Sequence, residues 1–331
     1  KKFKKKIKAY SILDFDEDYN EKKYIDIAKK ELNLDLDYIK VDTKHALEEL
    51  EKLINYHDQP IATSNFLFHS IIAKKAHKDG FKILISGQGS DEIFTGYYDH
   101  TIQYLYETRN EKNYKNNLDN WKKYILRDIQ NPIFQNPNLY IKNPTYREHL
   151  FDSSNKLKLY LKKEYRKNLI KKNIEKKYSS SLLRNRMMNE LFHEGVPVCL
   201  NNEDMNCMYS SVENRSPFLD TKLCEFMYTV PSNLLMQDGF TKFILRKSME
   251  GLVNNKILFN RVKKGFNVSV NSFVNFESEK FKENFLKKRS PIFDFINRDK
   301  LIGLIKTPSK RKQYSKFLFN FINTSIFLKN F

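Results

Sequence analysis

Three stretches of this 331-residue chain hold the residues best suited to chemistry. The first is ISGQGSDEIFTGYYDH, residues 85–100, which carries three of the nine glycines: Gly87, Gly89 and Gly96. Ser86, Gly87, Gln88, Gly89 and Ser90 offer small side chains and exposed backbone N–H groups. Such a turn lets the chain approach a nucleotide or its phosphates closely. Asp91 and Glu92 follow directly, and adjacent carboxylates beside phosphates suit Mg2+, which takes one or two carboxylates plus phosphate oxygens. The pattern is neither a Walker loop nor GxGxxG. A glycine-rich turn with a helix-capping Asp accounts for the same residues.

The second stretch is NNEDMNCMYSSVENRSPFLD, residues 201–220. Glu213 and Arg215 stand just before Ser216-Pro217, where a helix is expected to end. An ion pair buttressing a bend would explain them. The third is TKFILRKS, 241–248, followed by RVKKGF, 261–266. Lys263 and Lys264 precede Gly265, and a flexible ammonium there can meet a leaving pyrophosphate. A solvated basic turn is the plainer alternative.

The elements that position these residues follow from periodicity. Residues 7–15 and 37–41 read as strands, with a helix over 20–32 between them. A helix over 44–56 places Ala46, Leu47, Leu50, Leu53 and Ile54 on one face. Another starts near Ser64, a candidate N-cap, and stops at Gly80. FKILIS, 81–86, is a short continuous apolar run and reads as a buried strand feeding the glycine turn. In open parallel sheets, ligands bind beyond the carboxyl ends of the strands. This alternation predicts an α/β fold with a parallel sheet in residues 1–100 and a mainly helical remainder in 101–331. Residues 107–180 read as helices joined by a variable surface segment. The tail 310–331 is expected to pack Phe317, Leu318, Phe321 and Ile322 on the core rather than lie on a membrane surface.

Composition narrows the classes. The formal charge is +19, but residues 1–100 hold 17 Lys against 18 Asp and Glu, so the excess lies in the second part. The basic residues are 47 Lys and only 12 Arg, whereas base-reading and phosphate-forking surfaces favour Arg. Nucleic acid is therefore not the expected partner, although anionic small substrates would be attracted. Cys199, Cys207 and Cys224 show no CxxC spacing, which argues for free thiols and a reducing, cytoplasmic setting. No stretch is long and apolar enough for a membrane span.

Together the three stretches resemble the synthetase domain of the glutamine-hydrolysing asparagine synthetases. That family has SG(E/Q)G(A/S)DE followed by a GGY-like segment, where this chain has SGQGSDEIFTGY. It then has a stretch ending V-E-x-R-x-PFLD, matched by Val212 to Asp220, then TKxxLR, matched by Thr241 to Arg246, and R-x-KKGF, matched by Arg261 to Phe266. The departures are Gln88 at an acidic position, Met205 for Arg, Cys207 for Ser and Thr95 for Gly. The resemblance implies an ATP-pyrophosphatase fold. It also implies that aspartate is activated by ATP as β-aspartyl-AMP and amidated by glutamine-derived ammonia, with Mg2+ as cofactor. By the same resemblance, Ile12, Ser86 and Gly87 would bind ATP, Asp91 would lie near metal and pyrophosphate, and Lys263 would contact the phosphates. Gln88 would serve the amide step, and Tyr97, Glu213 and Arg215 would shape the pocket. A related amide ligase acting on a sugar acid, lactam precursor or peptide, and a non-catalytic basic module, are the alternatives. The family's SGGxDS loop and N-terminal glutaminase domain have no match in these residues. The chain also begins Lys1-Lys2, so an upstream portion is expected. A homodimer is left open.

Overall fold

The computed structural model describes residues 7–13, 21–40, 45–129, 131–147, 150, 158–168, 174–261 and 268–331. Strand β1 (Lys8–Leu13) pairs in parallel with β2 (Asp35–Lys40), from Lys8 opposite Asp35 to Leu13 opposite Lys40. A parallel pair needs a crossover, and helix α1 (Lys22–Leu32) supplies it. Lys8 Nζ meets Asp37 at 2.8 Å and Asp35 at 3.4 Å, tying the two strands at their first residues.

Helices α2 (Ala46–His57) and α3 (Ser64–Lys78) carry the main core. The expected face of α2 is buried at Ala46, Leu50, Leu53 and Ile54. It meets Leu67 and Phe68 of α3 together with Phe273, Phe319, Phe321 and Ile322. Each such side chain contributes roughly 1.5–3 kcal/mol on burial. The expected N-cap needs correction. Thr63 holds the N-cap position of α3 without a side-chain capping bond, and Ser64 opens the helix with its hydroxyl donating to the Val268 carbonyl at 2.8 Å.

The sheet departs from expectation at FKILIS. Strand β3 covers only Ile83–Ile85 and pairs in parallel with β4 (Glu213–Arg215). The segment before Pro217 is thus a strand and not a helix end, since a residue before proline favours extended backbone anyway. Among the described residues the strands form two separate two-stranded sheets. Leu84 packs on Ala73, Cys207 and Val212, but Ile83 and Ile85 are 44% and 73% exposed. Successive strand residues face opposite ways, and among the described residues only the Leu84 face has a helix layer. The expectation of a buried strand is corrected on that ground. An apolar run in a parallel sheet implies two covered faces, and here one is bare among the described residues.

The rest is helical, as expected. Helix α4 (Ser90–Phe94) follows the glycine turn, then α5 (Tyr98–Glu107) and α6 (Tyr114–Tyr124). Helices α7 (Leu182–Phe192) and α8 (Gly195–Met208) lead to β4, and α9 (Phe243–Ser248) comes after it. The tail forms α10 (Ser315–Asn330), with Leu318, Phe321 and Ile322 buried as predicted. Asn323 on α10 also clasps the backbone ahead of α3. Its Oδ1 accepts from Ile61 N at 3.1 Å and its Nδ2 donates to Ile61 O at 2.6 Å. No helix among the described residues is long and apolar enough to cross a membrane.

Candidate active site

The glycine turn is built by close approach. Ser86 N donates to Arg215 O at 2.9 Å, extending the β3–β4 ladder by one residue before the chain turns. Gly89 caps α4 at φ +87°, and a Cβ there would lie 2.2 Å from Leu219 of the PFLD segment. Gly96 admits no side chain for another reason. Its Cβ would fall 1.6 Å from Asp91 Oδ1 and 2.7 Å from Lys242 Cε. The space that Gly96 leaves is filled by an ion pair. Lys242 Nζ lies 2.9 Å from Asp91 and donates to Ser90 Oγ at 3.0 Å. Lys242 holds a left-handed backbone (φ +54°) that side chains seldom adopt, and the pair with Asp91 helps offset that strain. Residues 86–97, 217–220 and 241–246 thus meet at one corner, at the carboxyl end of β3.

Lys263 and Lys264 fall in 262–267, outside the described residues. Both flanks of that stretch are described. The Arg261 guanidinium stacks on Phe240 at 3.7 Å and Tyr124 at 4.0 Å. Arg261 shares a small cavity with Gly96, Tyr98 and Thr241. Arg246 donates to Thr241 O at 2.8 Å, to Asn260 O at 3.0 Å and to Leu258 O, fixing the approach. On the far side, Val268 bonds Ser64 and Asn65 at the start of α3. Because α3 feeds back into β3, its start lies at β3's carboxyl end, so both flanks reach that same end of the fold.

Behind the turn lies a group that the sequence did not single out. Helix α8 is pinned by Asn206, whose Nδ2 donates to Phe66 O at 2.8 Å and whose Oδ1 meets His57 at 3.0 Å. This turns Cys199 and Glu203, one helical turn apart, toward the loop. Cys199 meets the side chain of Gln88, and burial together with the carboxylates of Glu203 and Glu92 pushes its thiol up to about 11. Glu203 is 8% exposed. Its Oε2 accepts from Asn214 Nδ2 at 2.7 Å and, at the limit of bonding distance, from Ser86 Oγ at 3.5 Å. Ser86 also exchanges a bond with Ser216 at 3.1 Å. Burial raises the Glu203 pKa, and its two donors only partly oppose the shift. Nearby, Tyr97 donates to Glu92 at 2.5 Å, and burial with that carboxylate keeps its phenol protonated.

Of the expected site residues, the structure gathers Ser86, Gly87, Gln88, Asp91 and Tyr97 on the turn and its helix. Glu213 and Arg215 pair with each other at 2.7 Å, as expected, but both are more than half exposed. Strand alternation puts them on the face opposite Asn214, which is the β4 side chain that turns toward Ser86. Ile12 lies in the other sheet, opposite Ile39, and packs on the core. Lys242 sat within a quoted motif without a role. Glu203 had no signal beyond its one-turn spacing from Cys199.

A second concentration of charge lies deeper, between α5 and α7. Arg186 meets Glu194 at 2.6 Å, Glu175 and Glu190 at 3.0 Å and Asp99 at 3.4 Å. Arg147 grips Glu175 through two bonds, and His100 bonds Glu190 at 2.7 Å. Asp99, His100 and Glu190 are close enough to hold a metal ion, but the Arg186 guanidinium already supplies that positive charge.

A parallel strand pair ending in a glycine turn, with an Asp–Lys pair at its lip, places the molecule among α/β proteins with a parallel sheet. The profile of the asparagine synthase family matches residues 1–329, and the chain belongs to that family. The family has the ATP-pyrophosphatase fold, in agreement with the expected fold class. The chain is 24% identical over 340 residues to asparagine synthetase [glutamine-hydrolyzing] 1 of Bacillus subtilis (strain 168), covering 96% of the chain and 52% of that protein. Over 108 residues it is 30% identical to asparagine synthetase [glutamine-hydrolyzing] 3 of the same organism, covering 33% of the chain and 18% of that protein. Amidase chry2 of Gibberella zeae is 25% identical over 264 residues, covering 71% of the chain and 39% of that protein. The chain thus spans about half the length of its first relative.

Proposed function

We propose that this chain is the synthetase part of an ATP-dependent amide ligase, with aspartate as the carboxylate and asparagine as the product. The observation that carries the reading is the Asp91–Lys242 pair at 2.9 Å. It joins the turn of one family motif to the basic segment of another at the carboxyl end of β3, the end at which such folds bind ligands. The aspartate side-chain carboxylate would attack the α-phosphate of ATP, giving β-aspartyl-AMP and pyrophosphate. Ammonia would then displace AMP. Ser86 and Gly87 supply the close backbone approach, and a Cβ at Gly87 meets nothing within 4 Å, so the space beside it is open. Lys242 supplies fixed positive charge for phosphate oxygens, and Lys263, which lies outside the described residues, is the second cation of the reading by its motif alone. The ammonia would come from glutamine, through a glutaminase partner or domain.

Mg2+ fits the described residues less well than the sequence suggested. Asp91 is ion-paired with Lys242, and Glu92 accepts from Tyr97. The buried Asp99–His100–Glu190 group holds Arg186 instead.

The test is pyrophosphate release by the full protein carrying this chain, with ATP and ammonium, over a panel of carboxylates. Aspartate should give the strongest signal. Silence with aspartate and release with another acid would transfer the reading to that acid. Silence with every acid would end it.

A further inference from the structure

Residues 107–180 read as helices joined by a variable surface segment, and the ligase reading gives them no task. Two of them nevertheless reach the basic segment that carries Lys242. The Arg261 guanidinium stacks on two rings at once, Tyr124 at the end of α6 and Phe240 just ahead of Lys242. Phe240 also faces the Arg246 guanidinium at 5.6 Å. The hairpin that presents Phe240 is tight. Gln237 and Phe240 bond each other in both directions, at 3.2 and 2.8 Å, and Asp238 and Gly239 between them are left-handed (φ +52° and +73°). A Cβ on Gly239 would lie 2.6 Å from Tyr124 Cδ2, so the hairpin lays bare backbone against that ring. Arg261 Nη2 also donates to Asp238 O at 3.3 Å. Lys242 follows Phe240 by two residues, and its O accepts from Arg246 N at 3.0 Å at the start of α9. The reach of its ammonium to Asp91 and Ser90 is therefore set by where the hairpin stands, and the hairpin stands on Tyr124.

Asp128, one helical turn beyond Tyr124, adds a second tie. Its Oδ2 and the Nε of Arg261 are both sealed from solvent and both without a hydrogen-bond partner. They line one small cavity with room for about one water, together with Gly96, Thr241 and Arg246. A single water accepting from Arg261 and donating to Asp128 satisfies both groups, as burial demands. We propose that Tyr124 and Asp128 are positioning residues for Lys242, acting through Arg261 and the Gln237–Phe240 hairpin, so that the segment after α5 sets the affinity of the corner for phosphate oxygens. The proposal rests on the ligase reading above. Its physical basis is the left-handed backbone of Lys242, which persists only where the surrounding structure over-determines it. Without the Tyr124 ring, Arg261 loses one of its two stacks and the hairpin loses the surface under Gly239. Lys242 is then free to relax, and its ammonium leaves the place where phosphate oxygens would meet it.

The test uses the full protein carrying this chain. Carboxylate-dependent ATP–pyrophosphate exchange gives the half-saturating concentrations of ATP, pyrophosphate and the carboxylate, and titration calorimetry gives the affinity for ATP. In Tyr124→Leu, which keeps apolar bulk but not the stacking face, the values for ATP and pyrophosphate should rise about 5-fold or more, while that for the carboxylate stays within about 2-fold. Tyr124→Phe keeps the ring and should restore both. Asp128→Asn should shift the same two values in the same direction by a smaller factor, and it carries the test if Tyr124→Leu does not fold. The affinity for ATP should also fall in Lys242→Gln, and adding Tyr124→Leu to that variant should weaken it no further, because the two residues act as one unit. Additive losses, a carboxylate value that rises along with the other two, or a lower rate with all three values unmoved would overturn the proposal and leave the ligase reading intact. Absence of exchange by the unaltered protein with every carboxylate would overturn the ligase reading and this proposal with it.

Discussion

Two buried carboxyl groups of this protein live in opposite surroundings. Glu190, on α7, sits within an ionic cluster in which Arg186 alone touches four carboxylates. Glu203, on α8, is about equally buried, yet its described partners are an amide and a hydroxyl. The first arrangement neutralises buried charge with charge and locks α5 to α7. The second leaves a carboxyl poorly compensated beside a glycine turn. Such a carboxyl carries a stability cost at neutral pH, because burial disfavours its charged form. The cluster and the corner are neighbours in the fold. Tyr97, bonded to Glu92 at the turn, lays its ring edge against His100 at 5.3 Å.

The largest effect should come from the cluster. Arg186→Met removes the shared cation and leaves its carboxylates facing one another in a dry site. Breaking a buried pair from one side costs about 3–5 kcal/mol. The variant should show a correspondingly lower denaturant midpoint, or fail to accumulate. A loss under 1 kcal/mol would mean that the cluster is wetter than its burial indicates and would erase the contrast with Glu203.

The sequence made one of these regions legible and hid the other. The glycine turn, the Asp91 position and the TKFILR stretch could be read because their residue types are rare locally and their order is specific. The helices could be read because α2 and α10 carry apolar faces at helical spacing. The Arg186 cluster gathers residues 99, 100, 147, 175, 186, 190 and 194, and no local pattern announces a convergence of that span. Glu203 lies in the run NNED, which reads as a solvated helix face. Only the packing of α8 across the turn, fixed by Asn206, reveals it. The bare face of β3 was hidden for a different reason. An apolar run such as FKILIS looks the same whether one face or both are covered. The pairing of Glu213 with Arg215 is legible from their spacing, but the Ser-Pro signal for a helix end fits an extended strand equally well.

A second, smaller effect should appear as pH dependence in the cluster. Burial opposes charge on His100, but the carboxylates of Glu190 and Asp99 outweigh it, and the net direction of its pKa is up. His100 and Glu190 are strongly coupled, so the proton belongs to the pair. A basic group whose folded pKa is raised contributes stability that is complete below its unfolded value, near pH 6.5, and is lost as pH rises through the folded value. Unfolding curves from pH 6 upward should therefore show wild-type stability declining relative to His100→Gln, by up to about 1.4 kcal/mol per pH unit for one proton. Parallel curves would show that the His100–Glu190 bond needs no proton.

The smallest effect tests Glu203 as a matter of stability alone, and its sign is the point. An acid whose folded pKa is raised by burial binds its proton more tightly in the folded state. Stability therefore falls as pH climbs from the unfolded value, about 4.3, through the folded one. Glu203→Gln removes that penalty while keeping acceptors for Asn214 and Ser86. The variant should match wild type near pH 4 and exceed it at pH 7. Denaturant midpoints at the two pH values suffice to measure this. A charge-removing substitution that stabilises at α8, set against one that destabilises at α7, is the pattern expected of a site beside a scaffold. If Glu203→Gln instead loses stability equally at both pH values, the carboxyl is a structural bridge between α8 and β4, and the two regions differ in degree only.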